Sequence, residues 1–177
     1  MAKFSLGQSV ARVEDLTLVR GAGRYADDVR LANEAHAFIV RSPHAHAAIK
    51  RIEATAARRA PGVLTVLTGA DVKADGLGEI PCMIPVTNLD GSQRGETPRP
   101  LLATDRVRHV GDPVALVVAD SLGRAKDAAE LIEIDYEPLP AVADTYAASK
   151  PGAPLVWPAI KSNVCFDIVN GDAKAVE

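Results

Sequence analysis

The chain has 177 residues and a formal net charge of −3 at pH 7; 47% of its residues are hydrophobic and 4% are aromatic. This length fits one domain with extensions, and we expect a core built mainly from Val, Ile, Leu and Ala. The basic residues are scattered, which argues against the basic face that nucleic-acid binding needs. No apolar run reaches the roughly eighteen residues of a membrane span, and the N-terminus lacks the apolar core of a signal peptide.

The two cysteines, Cys82 and Cys165, are far apart in the sequence and form no CxxC pair. This spacing favours neither a metal-binding knuckle nor a disulfide framework. Cys82 has no activating partner beside it and is interpreted as a loop or interface residue rather than a nucleophile. We therefore expect a reducing, cytoplasmic environment.

The first part of the chain predicts short strands separated by breaks. Residues 1–33 show no hydrophobic period and are expected to be an irregular N-terminal extension. Alternating apolar residues predict a strand over residues 34–41, which Pro43 ends because proline cannot donate to a ladder. The next predicted elements are a strand over residues 48–53, a short helix over residues 55–60 capped by Thr55, and a strand over residues 63–68.

Residues 75–105 form the longest irregular region. Four prolines and four glycines in this segment exclude a continuous helix or strand. Loops of this length in a compact domain are usually functional or form interfaces. We therefore expect this loop to contact another part of a larger protein.

The clearest pattern covers residues 106–140 and predicts strand, helix and strand. Residues 114–119 are an unbroken apolar run, which is typical of a strand covered on both faces. Asp120 or Ser121 can cap the helix that follows. Apolar residues at three- and four-residue steps predict one buried helical stripe, formed by Leu122, Ala125, Ala129 and Ile132.

After this helix the hydrophobic period changes to two, which predicts a strand with one solvated face that Pro138 and Pro140 end. Residues 146–177 are expected to be an extended, proline-rich linker, in which residues 163–169 predict a last strand. Tyr136 and Trp157 are interpreted as packing residues. Together the elements predict an α+β (mixed α/β) domain with a mixed sheet, a few short helices and the long loop.

The segment Gly21-Ala-Gly-Arg-Tyr-Ala26 formally matches the glycine fingerprint of dinucleotide binding. Asp27 and Asp28 follow it, and their charges would repel a phosphate. No helix follows whose N-terminus would hold the pyrophosphate. We interpret the segment as a glycine-rich turn that positions Arg24 and Tyr25.

Adjacent carboxylates at Asp27 and Asp28 also raise the possibility of a general acid/base pair. Side chains of neighbouring residues usually diverge, so we favour a turn, or an ion pair with Arg24 or Arg41. No phosphate-binding loop and no paired CxxC for an iron–sulfur cluster is found in the sequence.

His44 and His46 are one residue apart and point to the same side of an extended chain, so they are candidates for a shared metal, with His36 or His109 completing the site. A small metal-dependent hydrolase that uses these two histidines and Asp27 is one hypothesis. We favour ordinary hydrogen bonds for these histidines, because no carboxylate or cysteine stands at ligand spacing.

Four ordered blocks resemble one family: residues 7–15, 21–28, 40–46 and 106–140. Together they are similar to the α/β-hammerhead domain that begins the molybdenum-binding large subunit of xanthine dehydrogenases, aldehyde oxidases and aerobic carbon monoxide dehydrogenases. The loop over residues 78–88 resembles the bacterial carbon monoxide dehydrogenase-like branch more than animal xanthine oxidases. Asp112 stands where many relatives carry Gln, a difference that identifies no substrate.

The resemblance implies a large oxidoreductase that hydroxylates a carbon centre with oxygen from water. Such a full-length protein would use molybdenum held by molybdopterin cytosine dinucleotide, with iron–sulfur clusters and FAD on partner subunits or domains. In this family the pterin-binding segments and the catalytic glutamate lie C-terminal to the hammerhead domain. None of them matches this chain, so we expect no catalytic, cofactor-binding or metal-binding residue in it.

The resemblance implies a hammerhead domain over residues 34–145, followed by a linker and the start of a C-terminal molybdopterin-binding region over residues 146–177. Because residues 171–177 resemble the start of a longer family segment, we expect the chain to be a fragment. The predicted function is to scaffold and dock the remainder of the molybdenum subunit and its partners; a free-standing protein-binding module is the alternative. The candidate interface residues are Arg24, Tyr25, Asp27, Asp28, Arg41, His44, His46, His109 and Asp112.

Overall fold

The computed structural model describes residues 10–97, 99–171 and 175. The chain divides into two compact units, Met1–Glu34 and Ala35–Glu177. The described part of the first unit contains helix α1 (Asp15–Val19) and a 3₁₀ turn (Ala26–Asp28).

The prediction that residues 1–33 are irregular is therefore wrong for these two short elements, while residues 1–9 lie outside the described part. A helix of five residues is too short to show a hydrophobic period. Local hydrogen bonds hold both elements instead. Asp15 Oδ2 accepts the amide of Arg12 at 3.3 Å, and Asp28 Oδ2 accepts the amide of Tyr25 at 2.8 Å. Both bonds satisfy amides at the start of a turn.

The second unit carries the sheets and the remaining helices. In chain order these are β1 (His36–Arg41), β2 (Ala47–Glu53), α2 (Thr55–Arg58), β3 (Val63–Thr68), α3 (Gly69–Ala74), β4 (Arg106–Val107), β5 (Pro113–Ala119), α4 (Leu122–Ala129), β6 (Glu133–Pro138) and α5 (Thr145–Ala148). The predicted α+β, hammerhead-like class is confirmed. The sheet differs in detail, because the strands form two antiparallel sheets, β1-β5-β3 and β4-β2-β6, rather than one mixed sheet.

The first sheet is built around β5, the predicted apolar run. Val117 lies opposite Phe38 of β1 and Val66 of β3, and both valines are buried. Helix α4 packs on this sheet through Ala125 and Ala128, whose small side chains allow a close approach of helix and strands. Burying one valine side chain contributes about 1.5–3 kcal/mol, so this layer is a main source of stability.

The second sheet packs around Ala47, Val107 and Val114, which are fully buried. Strand β6 adds Ile134 and Tyr136 to this core, while its intervening residues are exposed. The predicted alternation of a buried and a solvated face in this strand is confirmed. Pairing β2 with β6 therefore buries one face of each strand.

Of the predicted helix caps, Thr55 is wrong and Ser121, one of two candidates for α4, is confirmed. Thr55 is the first helical residue of α2 rather than its cap, because Ala54 takes the N-cap position and Thr55 N donates to Glu53 Oε1 at 2.8 Å. In α4, Ser121 is the N-cap, as predicted, and its hydroxyl accepts the amide of Arg124 at 3.4 Å.

The apolar stripe predicted for α4 is wrong at both ends. Leu122 is 44% exposed, and Ile132 lies beyond the last helical residue. The face that the helix buries consists of Ala125, Ala128 and Ala129. The two predicted alanines, Ala125 and Ala129, are therefore confirmed as buried, while the two large residues are replaced by Ala128, whose small side chain fits against the sheet.

The C-terminal part of the unit also differs from its prediction. Residues 145–148 form α5 at the start of the expected linker, because Asp144 caps them by accepting the amide of Ala147 at 2.6 Å. Residues 163–169 form no strand. They make separate hydrogen bonds to the loop over residues 75–105, whose prolines and glycines leave no straight edge for a ladder.

The long loop is irregular, as predicted. Its described residues contain two isolated bridges, Ile80 with Arg99 and Thr87 with Gln93, but no regular strand. Within the described residues, no helix is long and apolar enough to cross a membrane.

Candidate functional site

A cavity of about 650 Å³ lies in the second unit where the end of β1, the end of the long loop and the turn before β5 meet. Its walls combine positive charge with one aromatic ring. The lining residues that carry its chemistry are Arg41, Arg99, Arg108, His109, Asp112 and Trp157.

The turn over residues 108–112 forms one wall and is fixed by Asp112. This carboxylate is 8% exposed, and its Oδ2 accepts the amide of Arg108 at 2.8 Å. The same oxygen lies 3.8 Å from His109 Nδ1. A buried carboxylate that accepts a backbone N–H closes the turn and removes an otherwise unpaired donor.

The turn is also fastened to the chain that follows β1. The amide of Gly111 donates to Ser42 O at 2.8 Å, and the amide of Ser42 donates to Asp112 O at 2.9 Å. Gly111 has φ of +89°, a conformation that other residues adopt only with strain. Gly111 therefore permits the backbone conformation of the turn, and the side chain of Asp112 next to it closes the turn.

Arg108 is the most enclosed of the three arginines, with a side chain that is 14% exposed. Its guanidinium carbon lies 3.9 Å from the centre of the Trp157 ring, which is a cation–π geometry. Nη1 donates to Arg106 O at 3.3 Å, whereas the buried Nε has no hydrogen-bond partner among the described residues. Burial lowers the pKa of Arg108, but the guanidinium stays charged at neutral pH because its usual pKa exceeds 12.

The other two arginines leave more donors open. Arg41 Nη1 donates to Gly111 O at 2.8 Å. The side chain of Arg99 has no hydrogen-bond or ion-pair partner in the described part of the chain. Three arginines and one carboxylate, Asp112, line the cavity, while Arg108 Nη2 also lies 3.8 Å from Asp105 Oδ1 outside the lining. The cavity therefore carries excess positive charge and planar donors that match a carboxylate or another oxyanion.

Three of the candidate interface residues come together at this cavity: Arg41, His109 and Asp112. His44 and His46 lie beside the second sheet and have different partners. The ring of His44 is 4.8 Å from that of Tyr136, and His46 Nδ1 donates to Pro140 O at 2.8 Å.

His46 therefore carries its proton on Nδ1, since a carbonyl only accepts. The part of the chain that the structure describes holds no group of three His, Cys, Asp or Glu residues suited to a metal ion. Arg24, Tyr25, Asp27 and Asp28 belong to the first unit.

Within the first unit, the turn interpretation of Asp28 agrees with its hydrogen bond to the amide of Tyr25. Among the described residues of this unit, no ion pair joins Asp27 or Asp28 to Arg24. The pairing with Arg24 that was considered from the sequence is therefore not observed there.

Sequence reasoning missed Arg99 and Arg108 and assigned Trp157 to packing only. The available signal was a local excess of arginine, with Arg94 and Arg106 beside these two. Only the folded chain shows that Trp157 supports one of these arginines.

Comparison with known proteins identifies the family of the chain. Residues 20–140 match the family model described as aldehyde oxidase and xanthine dehydrogenase, a/b hammerhead domain. The chain belongs to this family. It is 40% identical over 159 residues to the carbon monoxide dehydrogenase large chain of Afipia carboxidovorans, a match that covers 90% of this chain and 18% of the relative.

Two further similarities support the hammerhead assignment. The chain is 40% identical over 139 residues to the nicotine 6-hydroxylase large subunit of Paenarthrobacter nicotinovorans, with 78% of this chain and 16% of the relative covered. The crystal structure of quinoline 2-oxidoreductase from Pseudomonas putida 86 matches with a TM-score of 0.76 and 40% identity, covering 93% of this chain and 20% of that one. The hammerhead chain thus spans less than a fifth of the length of these curated relatives.

Proposed function

We propose that this hammerhead domain is a non-catalytic scaffold and docking domain of a molybdenum-dependent oxidoreductase of the xanthine dehydrogenase and carbon monoxide dehydrogenase type. The observation that carries the proposal is the arginine-lined cavity. It offers open donors, but no nucleophile paired with a general base lines it. The family membership of the chain supports the same reading, because the matched relatives extend far beyond the hammerhead region.

The cavity is the proposed docking point for a carboxylate side chain from the remainder of the molybdenum subunit or from its iron–sulfur partner. Arg99 is exposed at the cavity and supplies donors that have no partner among the described residues. A hydrogen bond to a charged group contributes about 1.5–3 kcal/mol, and an enclosed wall strengthens it. An acidic side chain would therefore be bound more tightly than a neutral one.

The cofactor belongs, in this proposal, to the complete enzyme. Molybdenum held by molybdopterin cytosine dinucleotide, with iron–sulfur clusters and FAD on partners, would supply the redox chemistry of carbon hydroxylation. The proposal places the contacts to this cofactor in the remainder of the molybdenum subunit, as the resemblance to the family implies. We therefore assign no cofactor contact and no reaction step to this chain.

The test begins with the native reading frame that contains these 177 residues. If it continues into pterin-binding segments, Arg99→Gln and Arg41→Gln are introduced into the whole enzyme, with Arg59→Gln as a matched control on an exposed arginine outside the cavity. Losing one charged hydrogen bond is expected to reduce co-purification of the iron–sulfur partner about tenfold or more, because about 1.4 kcal/mol corresponds to a factor of ten.

Normal assembly of both cavity variants would refute docking through the cavity. Molybdenum content and turnover of the isolated 177-residue chain provide a separate check, because either one would refute the non-catalytic role. A reading frame that ends at Glu177, with a well-folded monomer, would favour the free-standing binding module instead.

A further inference from the structure

The fold brings the two cysteines of the chain to the same residue, although they are far apart in the sequence. Cys82 Sγ lies 3.7 Å from both the carbonyl oxygen and the hydroxyl of Thr97. Cys165 Sγ lies 3.9 Å from the same hydroxyl and 3.4 Å from Gly95 O. Both thiols are free and half-buried. One threonine side chain therefore stands between two thiols that approach it from different segments.

The segments that carry these thiols are already aligned by hydrogen bonds. The amide of Gly95 donates to Cys165 O at 3.0 Å, and Arg94 Nη2 donates to Cys82 O at 2.6 Å. Two residues after Cys165, the carbonyl oxygen of Asp167 accepts the amide of Leu89 at 3.1 Å. The long loop and the C-terminal segment are thus joined by backbone hydrogen bonds at Cys165 and again two residues later at Asp167.

We propose that Cys82 and Cys165 form an intramolecular, peroxide-sensitive thiol pair that joins the long loop covalently to the C-terminal segment. The contacts of both sulfur atoms with Thr97 place them within about 7.6 Å of each other at most. A disulfide requires the two sulfur atoms to approach to about 2 Å, so both side chains must turn toward each other past the Thr97 hydroxyl. The inference concerns this chain alone and does not rest on the proposed docking function.

Cys82 is the thiol that reacts first. The hydrogen bond from Thr97 lowers its pKa, and the charge of Arg94 acts in the same direction, so more of it is present as the nucleophilic thiolate. The thiolate attacks one oxygen of hydrogen peroxide, the O–O bond breaks, and hydroxide leaves with Cys82 as the sulfenic acid. The Cys165 thiol then attacks that sulfur, forms the S–S bond and displaces water. Two thiols and one peroxide give one disulfide and two waters.

The experiment treats the 177-residue chain with one equivalent of hydrogen peroxide, blocks the remaining thiols with N-ethylmaleimide, and digests the protein without reduction. Trypsin places Cys82 in the peptide of residues 74–94 and Cys165 in the peptide of residues 162–174. The expected product is a cross-link between these two peptides in a monomeric chain, which dithiothreitol removes.

Two variants fix the order of events. In Cys165→Ser, Cys82 is expected to stop at the sulfenic acid and to be trapped by dimedone. In Cys82→Ser, Cys165 is expected to react more slowly than Cys82 does in the parent chain. Thr97→Val keeps both thiols and should slow the oxidation of Cys82. Circular dichroism verifies that each variant is folded.

Three results would overturn the proposal. The first is a sulfenic acid that accumulates on Cys82 even when Cys165 is present. The second is a disulfide that links two chains on a non-reducing gel. The third is oxidation of both thiols at equal rates that Thr97→Val does not alter.

Discussion

Removing the Asp112 carboxylate tests whether this side chain holds the cavity wall in place. In Asp112→Ala the amide of Arg108 loses the acceptor that stands 2.8 Å away. The turn over residues 108–112 keeps its backbone bonds to Ser42, the bond from Asp112 N to His109 O and the bond from Arg41 to Gly111 O. We expect a less stable protein in which Arg108 no longer rests firmly on Trp157.

The size of the effect follows from the burial of Asp112, which is 8% exposed. Leaving a buried donor unsatisfied costs about 1–3 kcal/mol, so we expect the free energy of unfolding to fall by about 2 kcal/mol. In a domain of this size 1 kcal/mol shifts the unfolding temperature by about 2–4 °C, which gives a decrease of roughly 4–8 °C. Asp112→Asn keeps an oxygen acceptor and should lose about half as much.

Urea unfolding followed by fluorescence measures this directly, because Trp157 is the only tryptophan in the chain and contacts Arg108. Asp127→Ala is the matched control, since Asp127 is exposed on α4, and it should stay within about 0.7 kcal/mol of the parent chain. The reasoning fails if Asp112→Ala unfolds at the same urea concentration as the control with unchanged tryptophan emission.

Further outcomes follow from other contacts. Val117→Ala should lower the free energy of unfolding by about 2–3 kcal/mol in urea titrations, because it leaves a void in the central strand, whereas Leu64→Ala at a 63% exposed position should change it little. Hydrogen bonds from Thr68 lower the pKa of Asp71, so this carboxylate contributes stability above its unfolded pKa near 3.8 and loses it as pH falls through the lower folded value. The difference in thermal unfolding between Asp71→Ala and the parent chain should therefore be largest near pH 6 and narrow as the pH falls below about 3.8, and a constant difference would contradict this assignment. Arg108→Lys should lower stability by about 1 kcal/mol and shift tryptophan emission, because an ammonium lacks the planar contact with the ring; unchanged emission would argue against the stacking.

Sequence patterns were most reliable where one local property decides the structure. The apolar run of β5 and the alternation in β6 predicted both strands, since a strand covered on both faces and a strand covered on one face demand different periods. The capping preference of short polar residues predicted Asp120 or Ser121 as the cap of α4, and Ser121 is the cap. The sequence patterns did not predict that Ala128 of α4 is buried. Whether this small side chain fits depends on the shape of the sheet that it contacts, which the helix sequence does not contain.

Some residues of the cavity were predicted from the sequence, but their grouping into one cavity was not. Its residues Arg41, Arg99, Asp112 and Trp157 come from separate stretches of chain, and none of these stretches has a pattern that refers to the others. The resemblance to a family pointed to Arg41 and Asp112, but the pairing of Arg108 with Trp157 required the fold. The contact of both cysteines with one threonine was invisible in the sequence for the same reason.

The order of the strands in the two sheets has a consequence for synthesis on the ribosome. Strand β5 is the centre of the first sheet and pairs with β1 and β3, while β2 must wait for β4 and β6. About seventy residues separate the end of β1 from the start of β5, which corresponds to roughly 4–14 seconds of translation at 5–20 residues per second. During that time the three early strands emerge without the partners that complete their ladders. Nascent chains from which β6 has not yet emerged should therefore bind chaperones that recognise apolar strands, and this binding should end once β6 has left the exit tunnel.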